Sequence, residues 1–252
     1  MSFDVTPDAY TRFMGVYSEP LAVRFVELLD LRPGQRVLDV GCGPGVLTAE
    51  LAARVGAAGV VAIDPSPPFV EAARRRIPGA EVQEGSAEDL PFADGGFDLT
   101  VAQLVVHFMS DPVAGLAEMA RVTRPGGLVA ANVWDHAGIS GPLTTFWRAV
   151  RDLDPQAIDE SARPGTREGH LAELFVRAGL SDLHSGSITV TVGFDSFDEW
   201  WAPYEMGVGP AGSYVARLDE RGRESLKHAC RRYLPQPPFE IDATAWTVKA
   251  RA

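Results

Sequence analysis

Short apolar runs alternate with amphipathic stretches from about Arg36 to Trp134. Short runs rich in aliphatic and β-branched residues and bounded by glycine or proline are typical of strands buried on both faces. The predicted strands are Val37–Val40, Gly59–Asp64, Val82–Gly85, Leu99–Gln103 and Leu128–Trp134, and the predicted helices are Leu47–Arg54, Pro68–Ile77 and Pro112–Thr123. This alternation predicts right-handed βαβ units and a parallel sheet with its ligand at the carboxyl ends of the strands.

The alternation lapses after Trp134. Residues 135–167 are interrupted repeatedly by glycine and proline around one aromatic segment, Phe146–Val150, which is typical of a cap or lid. Further elements are predicted as a helix at Glu168–Gly179, a strand at Ser187–Val192, an irregular stretch at Phe194–Gly212, a helix at Leu218–Tyr233 and a last strand at Ala243–Lys249. We expect one domain over residues 1–252. Its core spans approximately 33–135, 168–195 and 240–252, and its cap approximately 1–32, 136–167 and 196–239.

The first strand runs into three alternating glycines, Gly41, Gly43 and Gly45. A dinucleotide fingerprint reads G-x-G-x-x-G, and here its sixth position is Val46, so the loop is wrong for a pyrophosphate. The second strand ends in Asp64, about where such folds hydrogen-bond a ribose diol. An NAD-type oxidoreductase is an alternative that this spacing, and the absence of a Tyr-x-x-x-Lys pair, disfavour.

Four segments together resemble the class I S-adenosylmethionine (SAM) dependent methyltransferases, in the small-molecule group that includes quinone-biosynthesis enzymes. They are Val37–Gly45, Val60–Ser66, Gly85–Asp98 and Met119–Leu128, and the resemblance covers about residues 10–135. It implies a Rossmann-like, seven-stranded, mostly parallel sheet whose last strand is antiparallel, plus a helical cap. It also implies transfer of a methyl group from SAM to a small organic acceptor by in-line displacement, with S-adenosylhomocysteine as product.

The resemblance assigns cofactor-binding roles residue by residue. Asp39 and the loop after it would line the methionyl end, Asp64 would hold the ribose hydroxyls, and Gln103 would lie near the sulfonium. Ser86 stands where the family often has Asp, and Gln103 where a smaller residue is common. The full predicted set is Asp39, Gly41, Cys42, Gly43, Gly45, Asp64, Pro65, Ser66, Ser86, Ala87, Glu88 and Gln103.

Catalytic residues are harder to predict, because SAM carries an activated methyl group and positioning alone can supply most of the rate. His107 follows the fourth strand at its cofactor end and is the candidate general base. The alternative is a histidine that only packs or hydrogen-bonds within its loop. His136 follows the fifth strand and could face the same cleft.

An aromatic set outside the sheet could wall an apolar acceptor pocket, the alternative being packing inside the cap. The predicted pocket residues are Phe13, Tyr17, His136, Trp147, Trp200 and Tyr204. Asp135 and His136 are adjacent, and neighbouring side chains seldom converge on one ion, so we predict no metal. Cys42 is expected at its position as a small residue and not as a nucleophile.

Composition narrows the class of partner. The net charge of −11 disfavours nucleic acid, and no stretch of about 18 uncharged apolar residues predicts a membrane span. Two cysteines form no disulfide framework, which fits the cytoplasm. The chain has 21 arginines and 2 lysines, a bias that hints at a GC-rich bacterium. A SAM-binding sensor or partner protein without turnover would carry the same cofactor loop and stays an alternative.

Overall fold

A computed structural model describes residues 6–252, so positions 1–5 of the predicted first cap segment lie outside the described residues. Seven strands form one sheet in the order β3-β2-β1-β4-β5-β7-β6. The strands are β1 (Val37–Val40), β2 (Val60–Asp64), β3 (Glu81–Glu84), β4 (Phe97–Gln103), β5 (Thr123–Trp134), β6 (Ser181–Phe194) and β7 (Phe239–Arg251). Strands β1 to β5 pair in parallel, whereas β7 is antiparallel to both β5 and β6. The predicted sheet and its antiparallel last strand are confirmed.

The helices cover both faces of this sheet. They are α1 (Pro7–Tyr10), α2 (Val16–Glu27), α3 (Val46–Val55), α4 (Pro67–Arg76), α5 (Pro112–Val122), α6 (Thr144–Leu153), α7 (His170–Arg177), α8 (Phe197–Trp201), α9 (Gly209–Ala216) and α10 (Glu220–Arg231). A π-helical turn, Thr11–Gly15, joins α1 to α2, and 3-10 turns occupy Ala57–Gly59, Val106–Phe108 and Ala202–Met206.

The later part of the chain contains more regular structure than the sequence pattern predicts. Strand β6 extends well beyond the predicted Ser187–Val192, and the stretch predicted to be irregular contains α8 and the start of α9. Helix α8 is only five residues long, too short to show a period, and begins where the Ser196 hydroxyl accepts from the Glu199 amide. Helix α10 begins after Asp219, which caps it in the same way through the Gly222 amide.

Two apolar layers enclose the sheet. One contains the cap and the N-terminal helices, and the other packs α5 and α7 on the opposite face. Leu21 and Phe25 of α2 are completely buried in the first layer, which stabilises the fold by about 1.5–3 kcal/mol for each side chain. Helix α2 therefore anchors the segment before it, which consists of α1 and the π-helical turn. Across residues 6–252, no helix combines the length and the apolar character needed to cross a membrane.

Candidate active site

The loop between β1 and α3 presents bare backbone at the carboxyl edge of the sheet. The Gly41 and Cys42 amides both donate to the Ile63 carbonyl, at 2.7 and 3.0 Å. At Gly41, where φ is +71°, an added Cβ would lie 2.4 Å from Val105 Cγ2, so only glycine fits. At Gly43, where φ is +53°, an added Cβ would meet nothing within 4 Å. Gly43 thus faces open space, as a ligand-binding backbone position requires.

Asp64, the last residue of β2, is fixed by two backbone donors. Its Oδ2 accepts from the Gly43 amide and its Oδ1 from the Ser66 amide, each at 2.9 Å. Burial raises the pKa of Asp64, and these two hydrogen bonds oppose that rise. Each carboxylate oxygen keeps lone-pair capacity for one more donor, which suits a pair of ribose hydroxyls.

Asp39 in β1 provides a second buried carboxyl group. It is 1% exposed and accepts a hydrogen bond of 2.6 Å from the Thr48 hydroxyl. Burial, together with the charge of Asp64, raises the pKa of Asp39 to about 7, although the Thr48 bond opposes the rise.

These residues surround a cavity of about 330 Å³ at the carboxyl edge of the sheet, which we call the cofactor cavity. Its size falls in the range of small-molecule sites. Its lining is Tyr10, Gly41, Gly43, Asp64, Pro65, Ser66, Pro67, Pro68, Phe69, Gln103, Leu104, Val105 and Phe108. A narrow adjoining lobe adds Asp39 and Cys42. A larger polar groove of about 1090 Å³ lies at the opposite edge of the sheet, where open α/β sheets do not bind their ligands.

Two buried polar atoms in this adjoining lobe are left for a ligand to pair with. Gln103 Nε2 donates to the Ser18 carbonyl at 3.1 Å, whereas Gln103 Oε1 and Ser18 Oγ have no hydrogen-bond partner in the described part of the chain. Leaving buried polar atoms unpaired is costly. An amino group placed between these acceptors would satisfy them, so the lobe fits the methionyl end of SAM.

Some predicted cofactor residues do not line this cavity. Glu88 accepts from the Ser110 amide at 2.7 Å and is hydrogen-bonded to the Ser86 hydroxyl, so these two side chains tie loops together, and neither they nor Ala87 are among the lining residues. Gly45 faces α4, where an added Cβ would lie 2.6 Å from Ile77 Cδ1. Gly45 therefore shapes the loop and packs it on a helix.

A smaller cavity of about 50 Å³, the acceptor cavity, adjoins the cofactor cavity. Its lining is Tyr10, Phe13, Met14, Leu104, His107, Phe108, Trp134, His136, Leu143, Glu160, Val208, Gly209 and Pro210. Tyr10, Leu104 and Phe108 line both cavities. The two spaces therefore meet just beyond the end of β4.

Leu104 adopts a conformation that is rare for a bulky side chain. Its φ is +61°, and its amide is held by the Asn132 side-chain oxygen at 3.1 Å and the Asn132 carbonyl at 3.0 Å. Strained residues of this kind concentrate at functional sites, where the surrounding structure over-determines them. Here the strain places Leu104 between the two cavities.

The lining of the acceptor cavity is mostly apolar, and besides Tyr10 it contains three titratable side chains. Burial and the nearby His136 and Arg163 lower the pKa of His107 well below its usual value, so His107 is neutral, and its Nδ1 has no partner among residues 6–252. Burial lowers the pKa of His136 to about 4. Burial raises the pKa of Glu160 to about 7.

The predicted aromatic pocket divides into two groups. Phe13 and His136 line the acceptor cavity, whereas Tyr17, Trp147, Trp200 and Tyr204 are buried in the cap behind it. Tyr204 stacks on Phe146 at 4.5 Å and contacts Phe13 edge-on at 5.2 Å. These four residues support the wall without forming it, because cap packing has covered their faces. Cys42 is also buried, and burial raises the pKa of its thiol, which disfavours the reactive thiolate.

Tyr10, Leu104 and Glu160 are site residues that the sequence pattern does not single out. Tyr10 approaches Phe69 with ring centroids 5.5 Å apart and so closes over the cofactor cavity. In the sequence, only the position of Tyr10 in the segment before the first strand indicates a role at the site. Glu160 lies in a loop without periodicity and has no sequence signal. Among residues 6–252, no group of three His, Cys, Asp or Glu side chains is arranged to hold a metal ion.

A sheet of this order with a cavity over the ends of β1, β2 and β4 defines a Rossmann-like α/β domain. Residues 38–131 match a family model described as "Methyltransferase domain". An uncharacterised 37.1 kDa protein in a transposon of Streptomyces fradiae is 38% identical over 162 residues, covering 62% of this chain and 46% of that protein. Demethylmenaquinone methyltransferase of Renibacterium salmoninarum is 34% identical over 172 residues, covering 63% of this chain and 71% of that enzyme.

A solved structure, the YcgJ protein of a Bacillus, superimposes with a TM-score of 0.60 at 18% identity, covering 92% of this chain and 98% of that one. This likeness concerns the fold. The chain spans less than half the length of some curated relatives, for example 42% of the demethylmenaquinone methyltransferase of Beutenbergia cavernae. The chain belongs to the class I SAM-dependent methyltransferases of the small-molecule type, whose cofactor is SAM.

Proposed function

We propose that this protein transfers the methyl group of SAM to a small organic acceptor held in the acceptor cavity. The observation that carries the proposal is the shared wall, since Tyr10, Leu104 and Phe108 line both cavities. A reacting atom in the smaller cavity would lie beside whatever occupies the larger one. SAM supplies the electrophilic methyl group on its sulfonium, and the protein has to align the acceptor and exclude water.

The residues around the shared wall serve these two tasks. Tyr10, on the segment anchored by α2, covers the cofactor cavity and keeps water out. Burial raises the pKa of its hydroxyl to about 12, so Tyr10 stays uncharged. The cofactor roles of Asp39, Gly43, Asp64 and Gln103 are part of this proposal. His107 is neutral and available to accept a proton, but its lowered pKa makes it a poor base.

The acidic balance of the chain supports a small-molecule acceptor over nucleic acid, because a net charge of −11 repels phosphate backbones. Its buried, unpaired cysteines fit the cytoplasmic location that the sequence predicts. Two curated methyltransferases with related sequences act on small molecules by their names, demethylmenaquinone methyltransferase and nocamycin O-methyltransferase.

The test is transfer of label from SAM that carries a radioactive methyl group to the small-molecule fraction of a bacterial extract. We expect organic-extractable label and an equal amount of S-adenosylhomocysteine, both strongly reduced by Asp64→Ala at a SAM concentration below saturation. SAM that binds tightly but is never consumed would favour the alternative of a SAM-binding sensor.

A further inference from the structure

The acceptor cavity contains a buried carboxyl group, Glu160, with one oxygen that the described part of the fold leaves without a hydrogen bond. Glu160 is 4% exposed, and its Oε2 has no hydrogen-bond partner among residues 6–252. An unpaired buried polar atom costs about 1–3 kcal/mol. A group that lowers stability and opens into a cavity points to a ligand that pairs with it.

The surroundings of Glu160 limit what that ligand can be. The cavity walls are mainly aromatic and aliphatic, and its two histidines are neutral. The Arg163 guanidinium lies close enough to act on the pKa of Glu160 and of both histidines, and it donates to the His107 carbonyl at 3.4 Å. A ligand that fits here has to offer a hydrogen-bond donor to Glu160 and an apolar body to the walls.

We propose that Glu160 recognises the hydroxyl group of a phenol-like acceptor and takes up its proton during methyl transfer. This inference rests on the proposed function. The acceptor oxygen forms its bond to the methyl carbon as the sulfur–methyl bond breaks, and the sulfur keeps that electron pair. The hydroxyl proton passes to Glu160 Oε2 and from there to solvent after product release.

The acidity of Glu160 suits this task. Burial raises its pKa to about 7, the charge of Asp159 adds to the rise, and Arg163 and the Trp147 indole oppose it. A general base works best when its pKa lies near the working pH. His107 and His136 remain neutral donors or acceptors at the same end of the cavity and can orient the hydroxyl.

The test uses 4-nitrophenol, whose phenolate absorbs visible light, with 4-nitroanisole as the methyl-ether control and 4-nitrobenzylammonium as the cationic control. Each is titrated into protein saturated with S-adenosylhomocysteine, so that only the acceptor cavity is free. We expect 4-nitrophenol to bind most tightly and to show the phenolate band when bound. Glu160→Gln should weaken its binding about tenfold or more and abolish the band, since a charge-assisted hydrogen bond is lost.

Glu168→Gln is the matched control, because Glu168 is an exposed carboxylate in the same part of the chain. It should leave 4-nitrophenol binding unchanged, and Glu160→Gln should leave the affinity for S-adenosylhomocysteine unchanged and should not lower the melting temperature. Tighter binding of the ammonium probe to wild type would overturn the proposal, as would equal binding of phenol and ether. The comparison of the three probes on the wild-type protein tests the proposal even if Glu160→Gln does not fold. Failure to bind S-adenosylhomocysteine at all would contradict the proposed function instead.

Discussion

The carboxylate of Asp64 accepts a hydrogen bond of 2.9 Å from the backbone amide of Gly43, 21 residues earlier in the chain. This bond ties the end of β2 to the glycine loop after β1. One side chain therefore fixes the loop and presents its remaining lone pairs to a ligand. Asp64→Ala removes both contributions and should weaken SAM binding at least tenfold, equivalent to about 1.5–3 kcal/mol.

Calorimetric titration of the Asp64→Ala protein measures this loss directly. Glu81→Ala is a suitable control, because Glu81 is an exposed carboxylate at the opposite end of the neighbouring strand β3. An unchanged dissociation constant in folded Asp64→Ala protein would mean that the ribose is held elsewhere.

Gly43→Ala tests whether the cofactor occupies the space that Gly43 faces. Gly34 offers a matched position, because both glycines have a positive φ and an added Cβ would meet nothing within 4 Å at either. Both alanine variants should lose about 1 kcal/mol of stability from the left-handed backbone. Only Gly43→Ala should also weaken S-adenosylhomocysteine binding, by about tenfold or more. Equal affinities in the two variants would place the ligand away from Gly43.

The raised pKa of Asp39 predicts a pH-dependent cost in stability. The folded pKa is about 7, whereas the unfolded pKa is about 4. As pH rises from 4 to 7 the unfolded chain loses this proton first, so folding becomes less favourable by about 4 kcal/mol at most. Urea unfolding should therefore show the advantage of Asp39→Asn over wild type growing across that window.

Asp98→Asn should show the opposite trend. The Arg124 guanidinium lowers the pKa of Asp98, so its stabilisation is present above the unfolded pKa and is lost as pH falls.

A constant difference between Asp39→Asn and wild type from pH 4 to 8 would mean that Asp39 ionises normally.

His107 should make the fold sensitive to acid. Its folded pKa lies well below its usual value, so below about pH 6.5 the unfolded chain binds a proton that the folded chain does not. His107→Leu should reduce the loss of stability between pH 7 and 5, by about 1.4 kcal/mol per pH unit at most. An equal loss of stability between pH 7 and 5 in wild type and His107→Leu would show that His107 is accessible and charged.

Trp200→Ala should act on stability and not on cofactor binding. Trp200 is 2% exposed and packs against Tyr204 with ring centroids 5.0 Å apart. Truncating such a side chain costs about 3–5 kcal/mol. A melting curve should show a large drop, while affinity for S-adenosylhomocysteine per folded molecule stays near wild type. A small drop in melting temperature would indicate that Trp200 lines the acceptor cavity and is not essential to cap packing.

Most residues predicted to bind the cofactor converge on one cavity and its adjoining lobe, whereas only Phe13 and His136 of the predicted pocket residues line the acceptor cavity. Gly41, Gly43 and Asp64 lie on strand ends whose apolar runs and spacing are local signals, and the structure brings them to one cavity. Glu160 and Trp200 lie in segments where burial depends on long-range packing of the cap. Aromatic character alone could not separate Phe13, which lines the acceptor cavity, from Trp200, which does not.

The contrast between local signals and long-range packing also explains which helices could be predicted. Helix α5 ends within one residue of its predicted bounds, and Asp111 caps it through the Val113 and Ala114 amides with Pro112 at its first position. Helix α8 was missed because five residues carry no period. The π-helical turn at Thr11–Gly15 has no sequence signature and is set by tertiary packing.

The cavity over β1, β2 and β4 should bind SAM and its product and not a nicotinamide dinucleotide. Calorimetric titration of the wild-type protein with S-adenosylhomocysteine, SAM and NAD in turn measures this selectivity. We predict saturable one-to-one binding of the first two and no binding heat with NAD. Tight NAD binding without a SAM signal would contradict the account.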